Sequence, residues 1–226
     1  MVIEVVVLDV DDTLYLERDY VRSGFAAVGR YAEVCLGVEG VAELAWSEFE
    51  AGRRGDIFDR VLREVGVHPT RPIVASFVET YREHLPAITL LPDAAALLGA
   101  VLAKGLRLAV ITDGPVASQR AKVDALGLRD LASPIVVTGE LGPHAGKPSP
   151  VAFEHVERAI AVAGSQLVYL ADNPRKDFVA PATLGWRTVR VRRPEGLHEH
   201  LPSGSDVDVE LTSLDGALAA VLGVTP

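Results

Sequence analysis

Val5-Val6-Val7-Leu8-Asp9-Val10-Asp11-Asp12-Thr13-Leu14 is an apolar, β-branched run that ends in two carboxylates spaced by two. A run of this kind reads as a strand buried on both faces. Alternate side chains of a strand share a side. Asp9 and Asp11 are therefore expected to leave together, at the carboxyl end where open α/β sheets bind ligands. Two carboxylates there repel each other and lose solvation. A hard divalent cation, Mg2+, is the natural offset. The competing reading is a polar turn that closes a strand, with Asp12-Thr13 as turn residues.

Three further segments decide between these. Leu108-Ala109-Val110-Ile111-Thr112-Asp113-Gly114 is a second apolar strand, ending in a hydroxyl and a glycine before a helical stretch. A Thr hydroxyl and the open N–H groups of a helix start suit a phosphate oxygen; the plainer alternative is an N-cap. In Gly146-Lys147-Pro148-Ser149-Pro150 a lysine sits in a loop whose backbone is fixed on both sides, where its ammonium would neutralise a transferring phosphoryl group. Leu167-Val168-Tyr169-Leu170-Ala171-Asp172-Asn173-Pro174-Arg175-Lys176-Asp177 again ends a strand in an acid. Asp172 is placed to ligate a metal. Asp177 is placed to orient Asp172, a metal-bound water or Lys147 from behind. The alternative makes Asn173 a cap and Asp177 a favourable charge at a helix start. Taken together, the segments put acid, hydroxyl, amine and acid at four strand ends.

Around them the periodicity changes twice. From about Arg18 to Arg82 apolar residues recur at helical spacing: Tyr20, Phe25, Val28, Tyr31, Ala32 and Cys35, then Val41, Leu44, Ala45 and Phe49, with two shorter stripes beyond. Gly37 and Gly52 read as helix ends. From Asp93 onward helix and strand alternate, with helices over 94–103, 116–126, 151–163 and 175–184 and strands over 107–111, 135–137, 167–171 and 188–191. Pro194 to Asp206 reads as a loop, Val207–Leu211 as an edge strand and Leu214–Leu222 as a closing helix. The alternation predicts a Rossmann-like, three-layer α/β/α fold on a parallel sheet. A small α-helical domain is inserted after the first strand. The predicted division is 1–15 with 90–226 for the α/β core and 16–89 for the helical insert.

In this order and context the four segments resemble the haloacid-dehalogenase-like (HAD) superfamily of aspartate-nucleophile hydrolases. Asp9-Val10-Asp11-Asp12-Thr13 matches its first motif, Thr112 its second, Lys147 its third, and Asp172 with Asp177 its fourth. The subfamily with a helical cap is also resembled by Thr112-Asp113-Gly114 followed by Gln119, Lys122 and Leu126-Gly127-Leu128, and by Gly185-Trp186-Arg187-Thr188-Val189. Asp12 and Ala171 stand where glycine is common, a difference in turn geometry.

The resemblance implies a Mg2+-dependent phosphomonoester hydrolase. Asp9 would attack phosphorus to form an aspartyl-phosphate, and Asp11 would serve as general acid and base. Mg2+ would be held by Asp9, the backbone carbonyl of Asp11, and Asp172, with Asp177 and Asn173 behind them. Thr112, Asp113, Gly114 and Lys147 would hold the phosphoryl group. The inserted domain would be a cap that selects a small soluble phosphomonoester, sugar phosphates being favoured. Arg18, Arg22, Arg53, Arg54 and His144 are candidate substrate contacts, against the alternative of solvated surface arginines. His198 and His200 read as surface. The alternatives are a 2-haloacid dehalogenase or a phosphomutase of the same superfamily and, from a different class, a non-catalytic binding module. A leaving halide needs neither proton nor metal, so Asp11 and Asp172 favour phosphate chemistry.

Composition sets the outer bounds. The 226 residues are 49% hydrophobic and 23% charged, enough for one domain with an inserted lobe. A formal charge of −9 disfavours nucleic acid and anionic membranes as partners. The one cysteine, Cys35, has no intramolecular partner, and no signal-like segment or membrane-length apolar run is present. A cytoplasmic monomer or homodimer is expected.

Overall fold

The computed structural model describes residues 2–222. Residue contacts divide the chain into an α/β unit, residues 1–17 with 89–226, and a helical unit, 18–88.

In chain order, β1 (Val5–Leu8) is followed by α1 (Glu17–Leu36), α2 (Val41–Glu50), α3 (Ile57–Glu64) and α4 (Arg71–Glu83). Then come α5 (Pro92–Ala103), β2 (Arg107–Thr112), α6 (Val116–Ala125), β3 (Ile135–Val137) and α7 (Val151–Ile160). The chain continues through β4 (Leu167–Ala171), α8 (Val179–Thr183), β5 (Arg187–Val191), β6 (Val209–Leu211) and α9 (Ala217–Leu222). The six strands form one parallel sheet in the order β3-β2-β1-β4-β5-β6.

The chain runs outward from β1 on one side, then returns to β4 on the other. That reversal is a topological switch point, and the carboxyl ends of β1 and β4 flank it. Leu8 pairs with Val110 and with Leu170. Asp9, Thr112 and Asp172 therefore leave the sheet within two residues of one level.

The sheet is buried on both faces, which is why its strands read as continuous apolar runs. On one face Val5, Val7, Ala109 and Ile111 join Phe153 and Val156 of α7. The Phe153 ring stands edge-on to Tyr169 at 5.1 Å and to Trp186 at 5.5 Å. Val6 and Leu8 alternate to the other face and are equally buried, as are Leu97, Leu98 and Val101 of α5. Arg193, just past β5, closes the unit: its Nε and Nη2 donate to the Thr13 carbonyl at 2.9 and 2.7 Å, and its Nη1 to Asp93 at 2.8 Å.

The helical unit has its own aromatic core. Phe25 meets Phe49, Phe58 and Tyr81, and Phe77 is fully buried against Phe58 and Tyr31. Gly24 of α1 lets the Tyr81 ring approach, since a Cβ there would lie 2.5 Å from it.

Some element ends differ from the sequence expectation. The helix predicted over 175–184 is helical only at Val179–Thr183. The Asn173 N–H donates to the Asp177 carboxylate at 2.9 Å, so a side chain closes a loop where the backbone would have started a helix. Helix α7 stops at Ile160, short of 163, because Ala161 takes a left-handed φ of 54°. Strand β6 and helix α9 begin at Val209 and Ala217, later than Val207 and Leu214.

Candidate active site

The carboxyl ends of β1, β2 and β4 and the loop before α7 bring the four sequence segments together. Asp9 follows β1, is 4% exposed, and donates its N–H to the Leu170 carbonyl at 2.9 Å. Lys147 reaches it from the loop: Nζ donates to Asp9 Oδ1 at 2.7 Å and to Tyr169 Oη at 3.0 Å, and lies 2.7 Å from Asp177 Oδ1. Burial presses this ammonium towards neutrality, but Asp177 and Asp9 hold its pKa well above the ordinary value. At Asp9 burial wins over Lys147, and the Asp177 charge adds to it, so the carboxyl is raised to about 6.

Asp9, Asp172 and Asp177 each offer an oxygen within 4.8 Å of the others, and all three residues are buried. Burial, then the charges of Asp9 and Asp177, raise the Asp172 carboxyl well above its usual range. Three buried carboxylates with one ammonium among them form a hard-oxygen donor set that suits a divalent cation. Asp177, expected behind the ligands, lies inside this cluster. Asp11 was assigned to the metal through its backbone carbonyl, and its side chain points elsewhere.

Lys122 of α6 donates to Asp11 Oδ1 at 2.7 Å and to Oδ2 at 2.9 Å, and the Tyr15 hydroxyl also donates to Oδ1. Burial alone would raise the Asp11 carboxyl, but the Lys122 charge and hydrogen bond, with Tyr15, bring it below the ordinary value. Glu17 lies nearby, and burial followed by the Asp11 charge pushes its carboxyl up to about 8. Asp12 adopts φ 50°, the conformation for which glycine is common. Its buried carboxylate accepts the N–H of Glu17 at 2.8 Å and of Leu197 at 2.7 Å.

The Thr112 hydroxyl donates to Gln119 Oε1 at 2.7 Å. Gln119 in turn packs over Gly114, whose φ is 143° and where a Cβ would lie 2.6 Å from Gln119 Nε2. Asp113 is a buttress: Oδ1 accepts the Thr138 hydroxyl at 2.6 Å and the Lys147 N–H at 3.2 Å, and Oδ2 lies 3.4 Å from Lys176 Nζ.

Behind Asp172, the fully buried Arg190 donates Nε to the Asp172 carbonyl at 3.0 Å and other N–H groups to the carbonyls of Leu201 and His198 at 2.8 and 2.9 Å. A buried guanidinium with carbonyl acceptors on several sides anchors the end of β4 to the 198–203 loop. His198, read as surface, is half-buried with Nε2 2.8 Å from Asn173 Nδ2. The 198–203 loop folds back over β4 because Arg190 ties it there.

His144 is exposed, at φ 66°. Within the helical unit Arg22 and Arg18 lie over the Trp46 ring at 4.2 and 5.5 Å, and Arg18 pairs with Glu50 at 3.1 Å. Arg54 stacks on Phe49 at 4.0 Å, and Arg53 lies 3.9 Å from Glu48. Sequence reasoning assigned no role to Tyr15, Gln119, Lys122, Lys176 or Arg190. Gln119 and Lys122 carried one usable signal: they stand three apart, on one face of the helix after the Thr112 strand.

A family model described as haloacid dehalogenase-like hydrolase matches residues 3–185. A phosphoserine phosphatase of Thermus thermophilus is 33% identical over 152 residues, 67% of this chain and 59% of that protein's length. A glyceraldehyde 3-phosphate phosphatase of Methanocaldococcus jannaschii is 23% identical over 220 residues, 92% of each chain. Among solved structures, the putative HAD-hydrolase YfnB of Bacillus subtilis, bound to magnesium, shares the fold with a TM-score of 0.69 at 18% identity, covering 99% of this chain and all of that one.

Proposed function

The chain belongs to the haloacid dehalogenase-like hydrolases, and from that premise we propose that it hydrolyses a small phosphomonoester through an aspartyl-phosphate on Asp9. The observation that carries this reading is the Lys147 ammonium, 2.7 Å from both Asp9 and Asp177, beside Asp172 at the switch point of the sheet.

Asp9 Oδ attacks phosphorus while the bond from phosphorus to the ester oxygen breaks. Asp11, which Lys122 and Tyr15 keep ionised in the free protein, takes up a proton as the anionic substrate arrives and gives it to the departing oxygen. Water then attacks the aspartyl-phosphate and gives a proton to Asp11, which restores both carboxyl groups. Lys147 holds the Asp9 carboxylate in place and offsets negative charge on the phosphoryl oxygens. A half-turn of the Gln119 amide presents Nε2 to the Thr112 oxygen and frees the Thr112 hydroxyl proton for a phosphoryl oxygen. Backbone N–H groups of Asp113 and Gly114 complete that cradle, and Asp113 keeps the Lys147 loop in register with it.

Mg2+ would be held by Asp9, Asp172 and the backbone carbonyl of Asp11, with Asp177 adjoining, and would supply positive charge against the anionic substrate. The inserted helices, residues 16–89, are assigned the part of a substrate-selecting cap. The names of the phosphatase relatives support a small phosphorylated metabolite. The archaeal relative that aligns over 92% of both chains favours a short sugar phosphate. The test is phosphate release from a panel of phosphomonoesters with Mg2+, with EDTA, and with Asp9→Asn. Release that needs both the metal and Asp9 supports the reading; release that survives Asp9→Asn contradicts it.

A further inference from the structure

Three lysines stand among the site's carboxylates, and they are held very differently. Lys147 is fully buried and 2.7 Å from each of two carboxylates. The Lys122 side chain is 4% exposed and grips both oxygens of Asp11. Lys176 is 34% exposed, and its Nζ lies 3.4 Å from Asp113 Oδ2, a long contact. Asp113 is meanwhile secured through its other oxygen by Thr138 and the Lys147 N–H, so it does not depend on Lys176.

The surroundings of Lys176 favour its charged form. Burial and the Lys147 ammonium both press for the neutral amine, yet Asp9, Asp177 and Asp113 raise its pKa. Its field in turn reaches Asp9, Asp11 and Glu17. A dianionic phosphoryl group arriving at Asp9 needs cations that are not already spent. Lys147 is shared by two carboxylates and Lys122 is closed on Asp11, whereas Lys176 gives up little in leaving a 3.4 Å partner.

We propose that Lys176 is a phosphoryl-binding residue, its ammonium exchanging Asp113 for an anionic oxygen of the bound phosphomonoester at the exposed side of Asp9. This rests on the phosphatase reading above. It adds a binding residue from the span between Asp172 and Asp177, where the sequence analysis placed the start of a helix and assigned Lys176 no role.

The experiment titrates inorganic phosphate into wild type, Lys176→Met and Lys176→Arg by calorimetry, with and without Mg2+. It also measures KM and kcat on one phosphomonoester and thermal midpoints for each protein. Lys176→Met is expected to bind phosphate about tenfold more weakly, with KM raised to match, kcat less affected and the midpoint unchanged. Lys176→Arg is expected to recover most of the loss. If Lys176→Met lowers the midpoint, Lys176→Gln and the Arg variant, scored at a temperature where they are folded, carry the comparison. Wild-type phosphate affinity in the Met and Gln variants overturns the inference and leaves the phosphatase reading standing. A wild-type protein that neither binds phosphate nor releases it from any ester overturns both.

Discussion

Lys122 Nζ lies 2.7 and 2.9 Å from the two carboxylate oxygens of Asp11, across 111 residues of chain. Tyr15 adds a third hydrogen bond to that carboxylate. The carboxylate proposed to exchange a proton with the leaving oxygen is therefore set in place by a neighbouring helix and by its own turn. Lys122→Met releases it. General acid catalysis contributes on the order of 10²-fold or more when the leaving group is a poor one. We expect kcat/KM for alkyl phosphates to fall by about that factor, while p-nitrophenyl phosphate, whose leaving group needs no proton, loses little. Equal losses on both would show that Lys122 supports the fold and not Asp11.

The Gly114 turn admits no side chain. Its φ of 143° is strained for an L-residue, and a Cβ would lie 2.6 Å from Gln119 Nε2. Gly114→Ala is expected to lose about 1–3 kcal/mol in denaturant unfolding. It also pushes Gln119 off Thr112, so phosphate affinity falls with it. Wild-type stability in this variant would contradict the turn geometry.

Proton competition should govern metal binding. Asp9 is raised to about 6 and Asp172 is raised well above its ordinary value, each chiefly by burial. Raised carboxyl groups hold protons on the acid side, and a cation must displace them. Mg2+ affinity is therefore expected to weaken as pH falls from about 7.5 through about 6, with proton release on binding. Calorimetry in two buffers of different ionisation heat measures both. A pH-independent affinity without proton release would contradict the assignment.

Asp93 is shifted the opposite way, and its shift makes a stability prediction. Burial would raise its carboxyl, but Arg193 and the N–H groups of Leu214 and Ala94 outweigh it and bring the pKa below 3.8. A depressed carboxyl contributes stability above its unfolded pKa and loses it as pH falls through the folded value. Asp93→Asn is expected to cost about 1–2 kcal/mol at neutral pH, through the Arg193 link to Thr13, and progressively less below about pH 4. A pH-independent cost would rule out the charge as its source.

What the sequence showed best was local. The i, i+2 acids after β1, the hydroxyl after β2 and the acid after β4 were legible because a buried parallel strand announces its own end. Lys122 and Gln119 were quoted only as part of a family pattern, since their partners lie on other elements and packing alone brings them together. Arg190 had no local signal, because a charge inside a strand looks like an outward-facing residue until its carbonyl acceptors are seen. The helix predicted from Arg175 shrank because Asp177 bonds back to Asn173, a competition between side chain and backbone that periodicity does not register.

The proposed reaction places a covalent phosphoryl group on Asp9. The direct test is an acid quench of wild type and Asp9→Asn during turnover of a labelled phosphomonoester with Mg2+, followed by mass mapping of the phosphorylated peptide. Label is expected on the Val5–Leu14 segment of wild type and none in Asp9→Asn. Phosphate release without any labelled enzyme, or label that persists in Asp9→Asn, would contradict it.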